Sequence, residues 1–434
     1  MTVHVFAGPS LTGSAVLDLD GVCWHPPVAH GDLYRVRTAP GDSVLIVDGL
    51  YQHTAPARNK EILELHTRGI PVYGAASIGA LRACEHLGHG MAGLGTVFGW
   101  YRDGRLFSDA DVALMHGDAD VGYRAFTHAL VSVLSVTDRL VAAGRLGEPA
   151  AESIVEVARS VHFGSRTDAV LIAAADRAGG LGDPMRTVLA ELDPARLGDI
   201  KRLDAEHAVR EVLAGTAPDP LADAVAVPDL TDMREWRLLH TPATADPEGP
   251  TMLQVLTYAQ LFRPDYPELH TRYVFGRLKP EYPGLRDTDA APDWLSALPR
   301  DELVARGVLS EAEAGRFSPA ELLERVLVRT FRLRSGRLVY EQFPAELTPE
   351  LTALATECGA VLELNEHAQR RNPAYHPEDL PERLIDSAFT ALWAVEDLSI
   401  HALDRGFRTV EEFREQARPF FIAARAAVAM KTPA

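Results

Sequence analysis

The sequence predicts an α/β protein: an open parallel sheet of the Rossmann/flavodoxin-like kind in the N-terminal core, followed by a mainly α-helical C-terminal region. Three observations predict it. Short apolar runs suited to buried strands recur at residues 3–7, 43–47 and 70–73, each followed by Gly, Pro or Asp. Between the second and third, residues 57–68 are rich in helix formers and close on Gly69, so strand, helix and strand imply a parallel crossover. Beyond "RDGRLFSDADVALMH" the pattern changes to helical spacing.

Taken in order, the run at 70–73 leads through "YGAAS" into a helix expected over 78–87 and ended by Gly88. Gly90, Gly93 and Gly95 then read as a loop before the short apolar run 96–101. Tyr123, Phe126, Leu130 and Leu134 fall at helical spacing and predict one apolar stripe, and further helices are expected at 152–161, 168–178, 184–192 and 199–214. The stretch 217–250, carrying Pro218, Pro220, Pro228, Pro242, Pro247 and Pro250, reads as a linker between a core of residues 1–216 and a helical domain of residues 251–434. In that second half helices are expected at 251–262, 319–333, 349–358, 381–395 and 410–427, with a small hairpin about Ser335-Gly336. No chemical motif stands out there.

Composition narrows the classes of function. A chain of 434 residues with 47% apolar and 24% charged residues has the balance of a globular protein, with material for a sizeable core. Its 43 Lys and Arg against 61 Asp and Glu leave a formal charge of −18, which repels a polyanion at long range and argues against nucleic acid as a general partner. No apolar run is long enough to cross a bilayer and the N-terminus carries no basic leader, so the expectation is a cytoplasmic protein with no membrane partner. Cys23, Cys84 and Cys358 are scattered and odd in number; they read as reduced thiols, without a disulfide framework or a Cys-only zinc site.

Four stretches can carry chemistry. In "IPVYGAASIGALRACE", Ser77 lies between strand and helix with the small residues Ala75 and Gly79 two positions to either side. That approaches the G-x-S-x-G elbow of a serine nucleophile, yet Ser77 fits an N-cap equally well. An attacking Ser77 would need oxyanion donors, for which the Ile78 N–H and the amides of Gly8 and Ser10 in "AGPSL" are the candidates. The turn "VDGLYQHTAPARNKEI" offers the base: Lys60, or His53 oriented by Asp48 or Glu61, with the spacing unable to choose. "SDADVALMH" holds Asp109, Asp111 and His116, which read as a cation cluster or, more simply, as a helix start with acids in its first turn. His86 and His89 have no complementary pair, and no metal or other cofactor is expected.

Six blocks, "VFAGPSL", "PPVAHGDLYR", "VLIVDGLYQHTAPARNKEIL", "RGIPVYGAASIGALRACE", "GHGMAGLGTVFGWYRDG" and "SDADVALMH", in this order and with short gaps, together resemble the core domain of the TfuA-like family over roughly residues 3–116. Members commonly carry Met where this chain has Ile78, a volume-conserving change, and consecutive acids where Ala110 interrupts them here. Residues 251–434 lie outside the resemblance.

What the resemblance implies is partnership with a YcaO-type ATP-dependent enzyme in replacing a peptide-bond oxygen by sulfur in ribosomally made peptides, with this chain the accessory protein that supplies sulfur. In that setting Ser77 would attack the C-terminal thiocarboxylate of a small sulfur-carrier protein and release sulfide, with Ile78, the Gly8 turn and Arg82 stabilising the charge. The alternative is a non-catalytic adaptor that recruits the YcaO partner, precursor peptide or sulfur carrier.

Overall fold

The computed structural model describes residues 1–50, 54–192, 199–222, 228–278, 299–331 and 340–431. The chain divides into two compact units, Met1–Pro228 and Asp229–Ala434.

Among the described residues the first unit is built on five strands: β1 (Val3–Phe6), β2 (Val22–His25), β3 (Ser43–Ile46), β4 (Val72–Ala75) and β5 (Met91–Leu94). All pair in parallel in the order β2-β1-β3-β4-β5. That is the flavodoxin-like arrangement, in which the connections change side between β1 and β3 and leave a crevice beyond the strand ends. The three inner apolar runs expected as strands are β1, β3 and β4. β2 and β5 are additions: β5 lies within the glycine-rich stretch that reads as a loop, and the apolar run after it is helical.

Helices cover both faces. On one lie α1 (Asp32–Arg35), α2 (Asn59–Thr67) and α3 (Ile78–Glu85), where Leu33, Ile62, Leu65 and Ala83 meet Phe6, Val44, Ile46 and Val72. α4 (Gly95–Arg102) follows β5, and α5 (Leu130–Ala142), α6 (Glu148–Ser160), α7 (Asp168–Arg177) and α8 (Gly182–Glu191) pack outside α3 and α4. On the other face α9 (Ile200–Leu213) sets Ala205, Ala208, Val209 and Val212 against Val3, Val5, Leu45 and Tyr73. The expected start of α5 is corrected. The helix begins at Leu130, because Tyr123 takes φ +54 and Phe126 is 57% exposed, so neither continues the stripe.

Two glycines set the distance between α3 and the sheet. A Cβ on Gly79 would sit 1.8 Å from the Ile46 carbonyl oxygen, and one on Gly74 would sit 2.1 Å from that of Gly79. Only hydrogen fits there. The Gly79 N–H in turn donates to the Val47 carbonyl at 3.1 Å, tying the first turn of α3 to the end of β3.

The second unit is helical: α10 (Thr231–His240), α11 (Met252–Phe262), α12 (Tyr266–Leu278), α13 (Arg300–Ala305), α14 (Glu311–Arg316), α15 (Pro319–Thr330), α16 (Leu351–Arg371), α17 (Glu382–Trp393), α18 (Leu398–Asp404), α19 (Val410–Ala417) and α20 (Phe421–Lys431). Its core gathers Leu256, Tyr266, Phe389, Phe413 and Phe420. α10 occupies part of the stretch expected as linker, and its Leu238 belongs to this core. The hairpin expected about Ser335-Gly336 lies outside the described residues. No helix among the described residues is long and apolar enough to cross a membrane.

Candidate functional site

At the crevice where the connections change side, three parts of the structure converge, the first of them the β1 turn together with the end of β3. The turn after β1 presents Gly8 and Ser10, and the end of β3 presents Asp48, which is 2% exposed. Asp48 Oδ2 accepts from the N–H groups of Gly8 at 3.0 Å and Ser10 at 2.9 Å, and its Oδ1 from the Ser10 hydroxyl at 2.7 Å. A buried carboxylate with three donors is well solvated by the protein. The same bonds overturn the role expected for the Gly8 turn: its amides are already committed to Asp48 and do not face an incoming oxyanion.

The second segment is the β4–α3 turn. Ala76 adopts φ +64, and the Ser77 N–H donates back to the Ala75 carbonyl at 2.7 Å, closing a tight turn about Ala76. A left-handed alanine costs about 1–2 kcal/mol, a strain that persists only where packing enforces it. Ser77 follows at φ −126, ψ −132, and its side chain makes no capping bond to α3. Capping therefore does not account for a serine here. Among the described residues no hydrogen bond uses the Ile78 N–H, which opens α3 at a position where helices leave amides unsatisfied.

The third element is Lys201, in the first turn of α9 and 2% exposed. Its Nζ donates to the Val112 carbonyl at 3.0 Å and lies 3.8 Å from Asp48 Oδ1. Lys201 was missed in the sequence, where residues 199–214 are expected only as a helix and no side chain on it is singled out. A signal was present: residues 201, 205, 208 and 212 recur at helical spacing, so Lys201 lies on the buried stripe of α9.

Of these residues Asp48, Ser77 and Lys201 line one cavity of about 150 Å³, together with Pro9, Thr54, Phe163 and residues 112–116. His116 stands on this wall because the loop is pinned. Met115 N–H donates to Thr127 Oγ1 at 2.8 Å, and Arg166, buried, reaches the Ala110 carbonyl at 2.8 Å. His116 Nδ1 lies 2.6 Å from the Gly117 carbonyl. A carbonyl only accepts, so Nδ1 is the donor in this bond, and Nε2 is the ring nitrogen left to take part in proton transfer.

The remaining candidates lie elsewhere. Glu61 is buried but does not line the cavity: His30 Nδ1 donates to it at 2.5 Å, and the N–H groups of Gly31 and Arg58 at 2.8 and 3.0 Å. Burial pushes its carboxyl up, against those donors. It ties the α1 loop to α2 and does not orient a base at Ser77. Lys60, next to it on α2, is also off the cavity wall. Arg82 pairs with Glu85 at 2.5 Å, one turn along α3 and away from the cavity lining. Asp109 and Asp111 form the first turn of a short 3₁₀ segment, with Asp111 accepting from the N–H groups of Phe107 and Ser108 at 3.1 Å each. That is the simpler of the two readings for the acids, and it separates them from His116. His53 lies outside the described residues.

With this geometry in view, the comparisons with known proteins bear on the same region. Residues 48–167 match the family model described as TfuA-like protein, a segment that includes Asp48, Ser77 and His116 and excludes Lys201. No curated protein matches the chain. The family match supports a general role in YcaO-associated modification.

Proposed function

We propose that the chain supplies sulfur to a YcaO-type ATP-dependent enzyme for thioamidation of a peptide backbone, by hydrolysing the C-terminal thiocarboxylate of a small sulfur-carrier protein. The observation that carries this reading is Ser77 itself: a serine without a capping bond, next to a strained Ala76, in one cavity with Asp48, Lys201 and His116. A cavity of about 150 Å³ suits a chain terminus better than a folded surface.

In the proposed reaction the Ser77 hydroxyl adds to the thiocarboxylate carbon, and His116 Nε2 takes its proton. Attack on an anion is slow unless charge is met in place. Lys201, held by Asp48 and the Val112 carbonyl, supplies a fixed positive charge, and the Ile78 N–H is the oxyanion donor. Collapse of the adduct breaks the C–S bond, sulfide leaves with the proton from His116, and water then hydrolyses the seryl ester. The balance is thiocarboxylate plus water giving carboxylate plus hydrogen sulfide. The role of Arg82 in the earlier expectation passes to Lys201, since Arg82 is paired with Glu85.

The test is sulfide release from a thiocarboxylated carrier protein by the purified chain and by Ser77→Ala, with folding matched by circular dichroism. Loss of release by about a thousandfold or more in the variant is expected for removal of a nucleophile. Equal release by both overturns the mechanism, and release by neither favours an adaptor that recruits the YcaO partner, precursor peptide or carrier.

A further inference from the structure

Away from the cavity, at the outer edge of the sheet, three side chains of metal-binding type meet. β1 and β2 pair in parallel with His4 opposite Cys23 and Phe6 opposite His25. Side chains alternate along a strand, so Cys23 and His25, two residues apart, project from the same face as His4. One potential ligand atom from each of His4, Cys23 and His25 falls within 4.8 Å of the other two, and His4 Nδ1 is 3.0 Å from His25 Nε2.

We propose that His4, Cys23 and His25 bind a zinc-class divalent cation that fastens the edge strand β2 to β1. The donor set is two imidazoles and one thiolate, the borderline-soft combination that tetrahedral zinc accepts. Zinc with bonds of about 2.0–2.3 Å holds its ligand atoms roughly 3.4–3.6 Å apart. The two nitrogens, 3.0 Å apart, are already near that separation, and the sulfur, within 4.8 Å of both, closes the remainder by side-chain rotation.

Three features beyond the triad fit a cation. His4 is 7% exposed, and its Nε2 lies 3.9 Å from Asp42 Oδ2, so a carboxylate stands behind the ring nitrogen that faces away from the site. Metal-bound imidazoles commonly have such a partner, which fixes the tautomer that leaves Nδ1 for the metal. Asp42 is itself fixed by the N–H groups of Thr2 at 2.6 Å and Ala39 at 2.7 Å. The ring of His25 is held by stacking on Phe6, with centroids 4.7 Å apart and planes 19° from parallel. Cys23 and His25 are half-buried, which leaves a path for the ion and a fourth position for water.

The ion would not take part in the chemistry proposed for Ser77. Its role is mechanical: among the described residues β2 has one neighbour in the sheet, β1, and a cross-link between the two strengthens that edge. Binding of thiolate in place of thiol releases one proton per ion from Cys23.

The test is titration of the reduced, metal-free full chain with Co²⁺, read by the thiolate-to-cobalt charge-transfer absorption, followed by displacement with Zn²⁺. The expected result is one Co²⁺ per chain, with the band abolished by Cys23→Ala, weakened at least about tenfold in affinity by His25→Gln, and retained by Cys84→Ala. No band in the unmodified chain at tenfold excess Co²⁺ (about ten per protein) overturns the proposal. So does a band that survives Cys23→Ala, because the thiolate would then come from another cysteine.

Discussion

Replacing Lys201 by Met, Asp48 by Asn, and both together measures how strongly the floor of the cavity depends on one buried ion pair. Nζ and Oδ1 are 3.8 Å apart, and both side chains are almost fully excluded from water. At an effective dielectric constant of about 20 the attraction at that separation is about 4 kcal/mol, against a desolvation cost of similar size. The pair is therefore worth little net, but either half alone is costly. In Lys201→Met, Asp48 keeps the donors from Gly8 and Ser10 but loses its counter-charge. In Asp48→Asn, Lys201 keeps only the Val112 carbonyl, and the new amide group must point an N–H at donors or away from them. Each single substitution should cost about 2–4 kcal/mol, and the double variant should be less destabilised than the sum by about 2 kcal/mol. Native-state hydrogen exchange of the β1 and β3 amides in low denaturant reports this unit without interference from the second. Additivity within about 0.5 kcal/mol would refute the coupling, and with it the view that Asp48 holds Lys201 as a fixed charge at the site.

Two further outcomes follow from other parts of the chain. Gly79→Ala places a methyl group 1.8 Å from the Ile46 carbonyl oxygen, so α3 must leave the sheet; a loss of more than about 4 kcal/mol is expected, seen as insoluble expression or a fall in the melting temperature of at least 10 °C (roughly). A variant that melts with the parent protein would show that the close approach is not required. In the second unit burial pushes the Glu313 carboxyl up, but the Arg329 guanidinium and the Ser310 amide outweigh it and hold it at about 2. A carboxylate held below its unfolded value of about 4.3 stabilises the fold above that pH, and the contribution is lost as the pH falls toward 2. Glu313→Gln should therefore weaken this unit at pH 7 and flatten its acid sensitivity between about pH 4.5 and 2; parallel acid unfolding of variant and parent protein would count against it.

The parallel core was legible because its signals are local. Four-residue apolar stretches bounded by turn residues can be nothing but buried strands or fragments of helix, and a helix-forming segment between two of them dictates the crossover. The Ser77 turn was legible for the same reason, as a strand end, two alanines, a serine and a glycine in sequence. β5 was hidden because glycine has low strand propensity, although Gly93 pairs with Gly74 in the centre of the β4–β5 ladder. The start of α5 was placed too early because helical spacing persists by chance across a segment whose backbone turns left-handed at Tyr123.

What the sequence by itself determined is the strands β1, β3 and β4, the helix that joins the last two, and the presence of a serine at the end of β4. Only the tertiary structure decided which titratable groups share its cavity. It brought Lys201 and His116 to Ser77, sent Glu61 to His30 and Arg82 to Glu85, and set Asp48 on the Gly8 turn. The physical reason is that a charged side chain has the same local signature whether it faces water or a buried partner. Its fate is settled by segments distant in sequence whose packing repays the cost of removing it from solvent.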